Sequence, residues 1–159
     1  MISPESTLAY GVKCELAAES LRLSGSLRIK VSGWSMLPTI WPGDTLVLST
    51  AQPSDIVPGD VALFQRDGNF FVHRVLEKND CRNEILSQGD AMPEPDAPFA
   101  SRQLLGKVRF ILCGGKQIEP DRRLNVAQRA LSGLLRRSEH AARIAVKAHQ
   151  LYRVPPVQH

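Results

Sequence analysis

At 159 residues and 43% hydrophobic content, the chain can bury one moderate core, and with 23% charged residues it is excluded from wholesale disorder. No stretch approaches the roughly 20 consecutive apolar residues of a bilayer-spanning helix, and Glu5, Lys13, Glu15 and Glu19 interrupt the N-terminal stretch, which lacks the apolar centre of a secretory signal; cytoplasmic residence is the default expectation. The net charge of +4 is uneven: eleven Lys or Arg from Lys107 onward face three acids, a net +8, leaving −4 on the preceding part.

From about Glu5 to Leu23 good helix formers and an apolar row at Leu8, Val12 and Leu16 predict a short amphipathic helix, ended by Ser24, Gly25 and Ser26. Cys14, Cys81 and Cys113 are odd in number and widely spaced, so they read as reduced, small apolar residues, in neither a disulfide framework nor a zinc site. From Leu27 the texture becomes short β-rich runs broken by Gly and Pro: Leu27 to Val31, Thr45 to Ser49, Asp60 to Gln65, Asn69 to Glu77, Glu84 to Leu86 and Leu104 to Leu112. Pro42-Gly43-Asp44 and Pro58-Gly59-Asp60 each precede such a run and fit a type II turn, in which Pro sets the first φ and Gly supplies the positive second one. Asp67-Gly68 is the tip of a predicted hairpin, which makes its two flanking strands antiparallel neighbours. Gly89 with Pro93, Pro95 and Pro98 forbids helix or central strand between Ser87 and Ala100 and predicts a surface loop. After Pro120 a weak stripe at Leu124, Ala127, Leu131, Leu134, Ser138, Ala141, Ala145, Ala148 and Tyr152 predicts one long helix, ending near Pro155 and Pro156.

Three places can carry chemistry. Ser32-Gly33-Trp34-Ser35-Met36-Leu37-Pro38-Thr39 lies where a strand gives way to a turn; Gly33 permits close backbone approach, and Met36 can wall an apolar pocket. A serine hydroxyl there becomes a nucleophile only if a base takes its proton and donors await the oxyanion. His73 lies in a strand and shares a face with Phe71 and Val75, where an imidazole can serve as base or simply as a satisfied core residue. In Gly89-Asp90-Ala91-Met92-Pro93-Glu94-Pro95-Asp96 a carboxylate could fix the tautomer of His73, or the loop could be merely acidic and exposed. Taken singly, each stretch has a purely structural reading.

Together, and in this order, Ser-Gly-x-Ser-Met-x-Pro-Thr, Pro-Gly-Asp before a strand, His73-Arg74-Val75, and Gly89-Asp90 with Asp96 six residues on resemble the type I signal peptidases over about residues 29–108. Histidine in the strand is similar to the archaeal, endoplasmic-reticulum and sporulation-type branch rather than to the lysine-using bacterial one. The resemblance implies a mainly β, signal-peptidase-like catalytic core with a short N-terminal and a long C-terminal helix, divided into a catalytic domain at 1–120 and a basic helical extension at 121–159. It implies Ser35 as nucleophile, His73 as base and Asp96 as the third catalytic group, with Asp90 in support, no cofactor and no metal. The Ser35 N–H would serve the oxyanion, and Ser32 is a weak candidate for a second donor.

The implied activity is that of a serine endopeptidase cleaving a leader or signal-like segment from a precursor protein or peptide through an acyl-enzyme. Against it stand two alternatives: a self-cleaving repressor-type autoprotease, disfavoured by His73 in place of lysine and by the lack of a helix-turn-helix segment, and a non-catalytic peptide-binding module. Members of this family normally carry a transmembrane anchor, which this sequence lacks, so a soluble maturation protease is the better expectation. The basic tail suits packing on its own domain, a protein partner or peripheral contact with anionic lipid; nucleic acid is not expected, because aromatic platforms are missing.

Overall fold

The computed structural model describes residues 4–137 and 139–153, with side chains described over 11–137 and 141–149. Helix α1 (Pro4–Ser24) leads into β1 (Ser26–Lys30), β2 (Thr45–Thr50), β3 (Val61–Arg66), β4 (Asn69–Asn79), β5 (Glu84–Gln88), β6 (Phe99–Ala100), β7 (Leu104–Cys113) and β8 (Lys116–Ile118), followed by α2 (Val126–Arg137) and α3 (Glu139–Arg153). The eight strands form one antiparallel sheet in the order β1-β2-β7-β3-β4-β5-β6, with β8 paired to β7. This is the β-rich architecture with terminal helices that the sequence predicts, and the six predicted runs are β1 to β5 and β7. Two short strands escaped the sequence reading: β6, at the end of the proline-rich loop, and β8, an exposed Lys116-Gln117-Ile118 with no apolar alternation. Among the described residues no helix is long and apolar enough to cross a membrane.

The corners are set by local chemistry. At both Pro-Gly-Asp segments the glycine has positive φ, 95° at Gly43 and 97° at Gly59, as a type II turn requires. Each turn closes in the same way: the Asp44 and Asp60 N–H groups donate to the Trp41 and Val57 carbonyls, and each Asp carboxylate accepts the N–H of that same residue. Asp67 and Gly68 both have positive φ, and Arg66 pairs with Asn69 across the hairpin, so β3 and β4 are locked in a register that sets Ala62 opposite His73.

Period-two alternation splits β3 between two cores. Val61 and Leu63 join Leu46, Leu48, Val108 and Ile111 on one side, while Ala62 and Phe64 join Val75, Ile85 and Phe99 on the other. Helix α1 buries Cys14, Ala18 and Leu21 against the sheet, the first two small enough to let it lie close, and ends in the left-handed Gly25, whose N–H donates to the Leu21 carbonyl. The predicted apolar row is therefore on the wrong face: Val12 and Leu16 are exposed, and the side chain of Leu8 lies outside the described residues. Of the cysteines only Cys14 is buried; Cys113 is half-buried and Cys81 is exposed in a turn.

Beyond Pro120 two helices stand where one was predicted, one ending at Arg137 and the next beginning at Glu139, with Ser138 outside the described residues, as are the side chain of Tyr152 and the predicted terminus at Pro155 and Pro156. The two helices close on a third apolar cluster, where Leu135 and Ala142 pack with Leu37 and Ala91, and His149 stacks on Trp41 with ring centroids 4.0 Å apart. The buried face is Ser132, Leu135 and Ala142, one position off the expected stripe, and Leu134 is exposed.

At Gly106 in β7 a Cβ would overlap the Ser49 carbonyl oxygen and press on Leu21 of α1 at 3.2 Å. Gly106→Ala should therefore cost about 1–3 kcal/mol through overpacking, read as a lowered midpoint in thermal unfolding; an unchanged midpoint would show that the β2-β7 crossing yields freely.

Candidate active site

His73 is placed by the most rigid part of the fold. It sits mid-strand in β4, paired to β3 on one side, and is buried, with its ring edge-on to Phe71 at 6.3 Å between centroids. Its two ring nitrogens have separate partners: Nε2 lies 3.0 Å from Ser35 Oγ and Nδ1 lies 2.7 Å from Asp96 Oδ2. With Nδ1–H donating to the carboxylate, the Nε2 lone pair faces the serine hydroxyl, which donates to it. The three side chains drawn together from positions 35, 73 and 96 form one continuous hydrogen-bonded line.

Ser35 sits in the turn after β1, not in a strand, and is held from outside. Its carbonyl accepts the Ala91 N–H at 2.8 Å, and the chain passes so close at Gly89 that a Cβ there would lie 2.6 Å from the Ser35 carbonyl oxygen and 3.1 Å from its Cβ. The following residues are wound into turns by Leu37 N–H to Trp34 O and Ile40 N–H to Met36 O, and the Leu37–Pro38 peptide is cis. Ser32 is exposed and lines the same cleft as Ser35 and His73.

The two carboxylates of the 89–96 loop have separate duties. Asp96 accepts from His73 and also from the Ser87 hydroxyl at 2.7 Å, while its own N–H donates to the Ser87 carbonyl. Asp90 faces away from the imidazole and takes a two-pronged ion pair from Arg74, Nε to Oδ1 and Nη2 to Oδ2, both at 2.8 Å, with the Thr39 hydroxyl donating to Oδ2 as well. Arg74 spends its remaining Nη1 on the Gly59 and Asp121 carbonyls. Of the two acids that the sequence offers as partners of the histidine, Asp96 is the one within hydrogen-bonding distance of its ring. The loop is not wholly at the surface either, since Gly89, Asp90 and Ala91 are buried, while Pro93 to Pro95 and Ala97 and Pro98 are exposed. Its far leg is tied by Arg66, whose Nη2 donates to the Ala97 and Pro98 carbonyls and whose guanidinium lies 3.8 Å over the Phe99 ring.

Beside Ser35 and His73 opens a cleft of about 330 Å³, walled by Ile29, Val31, Met36, Ile40, Phe70 and Val72. Met36 walls an apolar pocket as its place in the sequence suggests. Among the described residues no group of three or more His, Cys, Asp or Glu could hold a metal ion. The supporting residues Thr39, Ser87, Ser132 and Arg136 went unread in the sequence. Ser87 was within reach of it, standing opposite Val75 once the β4-β5 register is known, and Thr39 stands in the serine motif itself; Ser132 and Arg136 act across long separations that no local pattern encodes.

A β-rich body that lines up an alcohol, an imidazole and a carboxylate has the constellation of a serine hydrolase. Residues 7–109 match the Peptidase S24-like family, and the chain belongs to that family of serine peptidases, which takes in both self-cleaving repressors and signal-peptidase-like enzymes. No curated protein matches the chain. The resemblance read from the motifs is thereby placed at the level of this broader peptidase family.

Burial pushes the Asp96 carboxyl up, but hydrogen bonds from His73 and Ser87, with the charges of His73 and Arg66, outweigh it and hold the group below its ordinary value. A carboxyl depressed on folding stabilises the fold fully above its unfolded value of about 3.9, and that contribution is lost as pH falls through the lower folded value. Asp96→Asn should therefore be destabilising above about pH 4 and progressively less so below it. Urea unfolding of both proteins across the acid range checks this, and a difference that stays constant with pH would refute it.

Proposed function

We propose that the chain is a serine endopeptidase that cuts a leader or signal-like segment from a precursor protein or peptide, with Ser35 as nucleophile, His73 as general base and Asp96 as the group that orients the imidazole. The observation carrying this reading is the unbroken line from Ser35 Oγ through His73 to Asp96, at 3.0 and 2.7 Å, on the rim of an apolar cleft.

Ser35 Oγ attacks the scissile carbonyl carbon as its proton passes to His73 Nε2. The imidazolium so formed is stabilised by Asp96, which stays ionised because its donors favour the charged form. Collapse of the tetrahedral adduct breaks the C–N bond, and Nε2–H delivers its proton to the leaving amine. Water, deprotonated by the same nitrogen, then cleaves the ester and restores Ser35. The Ser35 N–H serves the oxyanion. The apolar cleft suits small or aliphatic side chains of an extended peptide.

Histidine as base favours the signal-peptidase-like branch over the lysine-dependent self-cleaving one. Residues 1–120 act as the catalytic domain and 121–159 as the extension, whose exposed Arg137, Arg143 and Lys147 suit an acidic protein or an anionic lipid surface.

Incubated with a pool of unstructured peptides, the wild-type chain should generate new N-termini detectable by mass spectrometry, and Ser35→Ala should reduce their formation by about a thousandfold or more. Full activity in that variant would remove Ser35 from the mechanism. His73→Ala should lower the rate comparably, because the serine then has no group to take its proton, and full activity in that variant would tell against His73.

A further inference from the structure

The nucleophile turn is held by a peptide group that is itself held from the far side. The amide joining Asp90 to Ala91 presents its N–H to the Ser35 carbonyl at 2.8 Å, and its carbonyl oxygen accepts two donors from α2, the Ser132 hydroxyl and Arg136 Nε, the latter at 3.0 Å. Because an amide is planar and its N–H and C=O point in opposite directions, this unit is a rigid spacer between α2 and the backbone of Ser35. Donation to its oxygen also polarises the amide and strengthens the bond its N–H makes.

Other contacts fix α2 at the distance this requires. Ser132 is buried, Leu135 and Ala142 pack on Leu37 and Ala91, and Arg74 draws the chain leading into α2 inward through the Asp121 carbonyl. On the opposite side of the spacer, Gly89 leaves no room between loop and nucleophile turn, so movement of the 89–91 segment is transmitted to Ser35. Ser132 and Arg136 touch neither the reacting groups nor the cleft.

Resting on the assignment of Ser35 as nucleophile, we propose that Ser132 and Arg136 are positioning residues: through the Asp90–Ala91 amide, the C-terminal helix α2 sets the backbone of Ser35, and with it the hydroxyl and the oxyanion-facing N–H. The helix pair is then an internal support that the catalytic turn requires.

The test is covalent labelling of the full chain with a fluorophosphonate probe, with rates measured as a function of probe concentration at a temperature well below unfolding. Labelling of the wild type at Ser35, and none in Ser35→Ala, upholds the nucleophile assignment; absence of wild-type labelling overturns that assignment and this inference with it. Given labelling, Ser132→Ala and Arg136→Met should each slow the limiting rate by about tenfold, as expected for a nucleophile displaced by a fraction of an ångström, with the half-limiting concentration unchanged. Arg136→Lys, which keeps a donor, should recover most of the loss. Wild-type limiting rates in Arg136→Met, whose parent side chain is exposed, would overturn the positioning role while leaving the nucleophile assignment intact. So would Arg136→Lys as slow as Arg136→Met, since that outcome assigns the effect to packing.

Discussion

The buried ion pair between Arg74 and Asp90 is the interaction on which the geometry of the site depends. Both nitrogens of the guanidinium edge meet both carboxylate oxygens, and both side chains are nearly excluded from solvent, at 9% and 3% of their exposed area. Taking two charges out of water costs several kcal/mol per ion, and only excellent geometry with further hydrogen bonds offsets it. Here Thr39 donates to the carboxylate, and the carbonyls of Gly59 and Asp121 accept from the remaining guanidinium nitrogen. Such a pair adds little net stability over an apolar substitute, but it is strongly directional, and four chain segments meet at it: the nucleophile turn, a Pro-Gly-Asp corner, the acidic loop and the segment leading into α2.

That directionality explains how two acids six residues apart come to different ends. Asp90 is consumed by a permanent cation and acts on structure. Asp96 meets a group whose charge changes during the proposed reaction, and its acceptor capacity is shared between the imidazole and the Ser87 hydroxyl. Had Arg74 been able to reach Asp96, the carboxylate would have been neutralised by a fixed charge and less effective in stabilising a transient imidazolium. With Arg74 directed to Asp90 from the other face of β4, Asp96 is left to the histidine.

How much of this is legible in the sequence follows from the range of each interaction. The strands, the two Pro-Gly-Asp corners and the Asp67-Gly68 hairpin rest on φ preferences and period-two burial, and these are local. The side chains at 35, 73 and 96 were found by the order of the motifs, which compresses three-dimensional proximity into spacing. What stayed hidden was decided by packing. In α1 the small residues Cys14 and Ala18, rather than the larger Val12 and Leu16, face the sheet, because a helix that must pass over Gly106 gains from close approach. In the C-terminal segment an alanine-rich pattern with no proline or glycine break near Ser138 reads as continuous, whereas two helices contribute Leu135 and Ala142 to the Leu37-Ala91 cluster.

The alternation of a single strand ties the proposed catalysis to its support. His73 and Arg74 are neighbours in β4, so their side chains leave opposite faces of the sheet. One reaches Ser35 and Asp96; the other reaches the loop that bears Asp96 and presses on the turn that bears Ser35. The proposed base, on a strand, is fixed by the sheet itself, but the proposed nucleophile on a turn and the acid on a loop have no such frame. By placing the clamp one residue from the base, the chain refers all three groups to the same stretch of rigid backbone. A slip of β4 by one residue would exchange the two faces and lose base and clamp together, which makes the Asp67-Gly68 hairpin, through the register it imposes, as much a part of the site as the residues that line it.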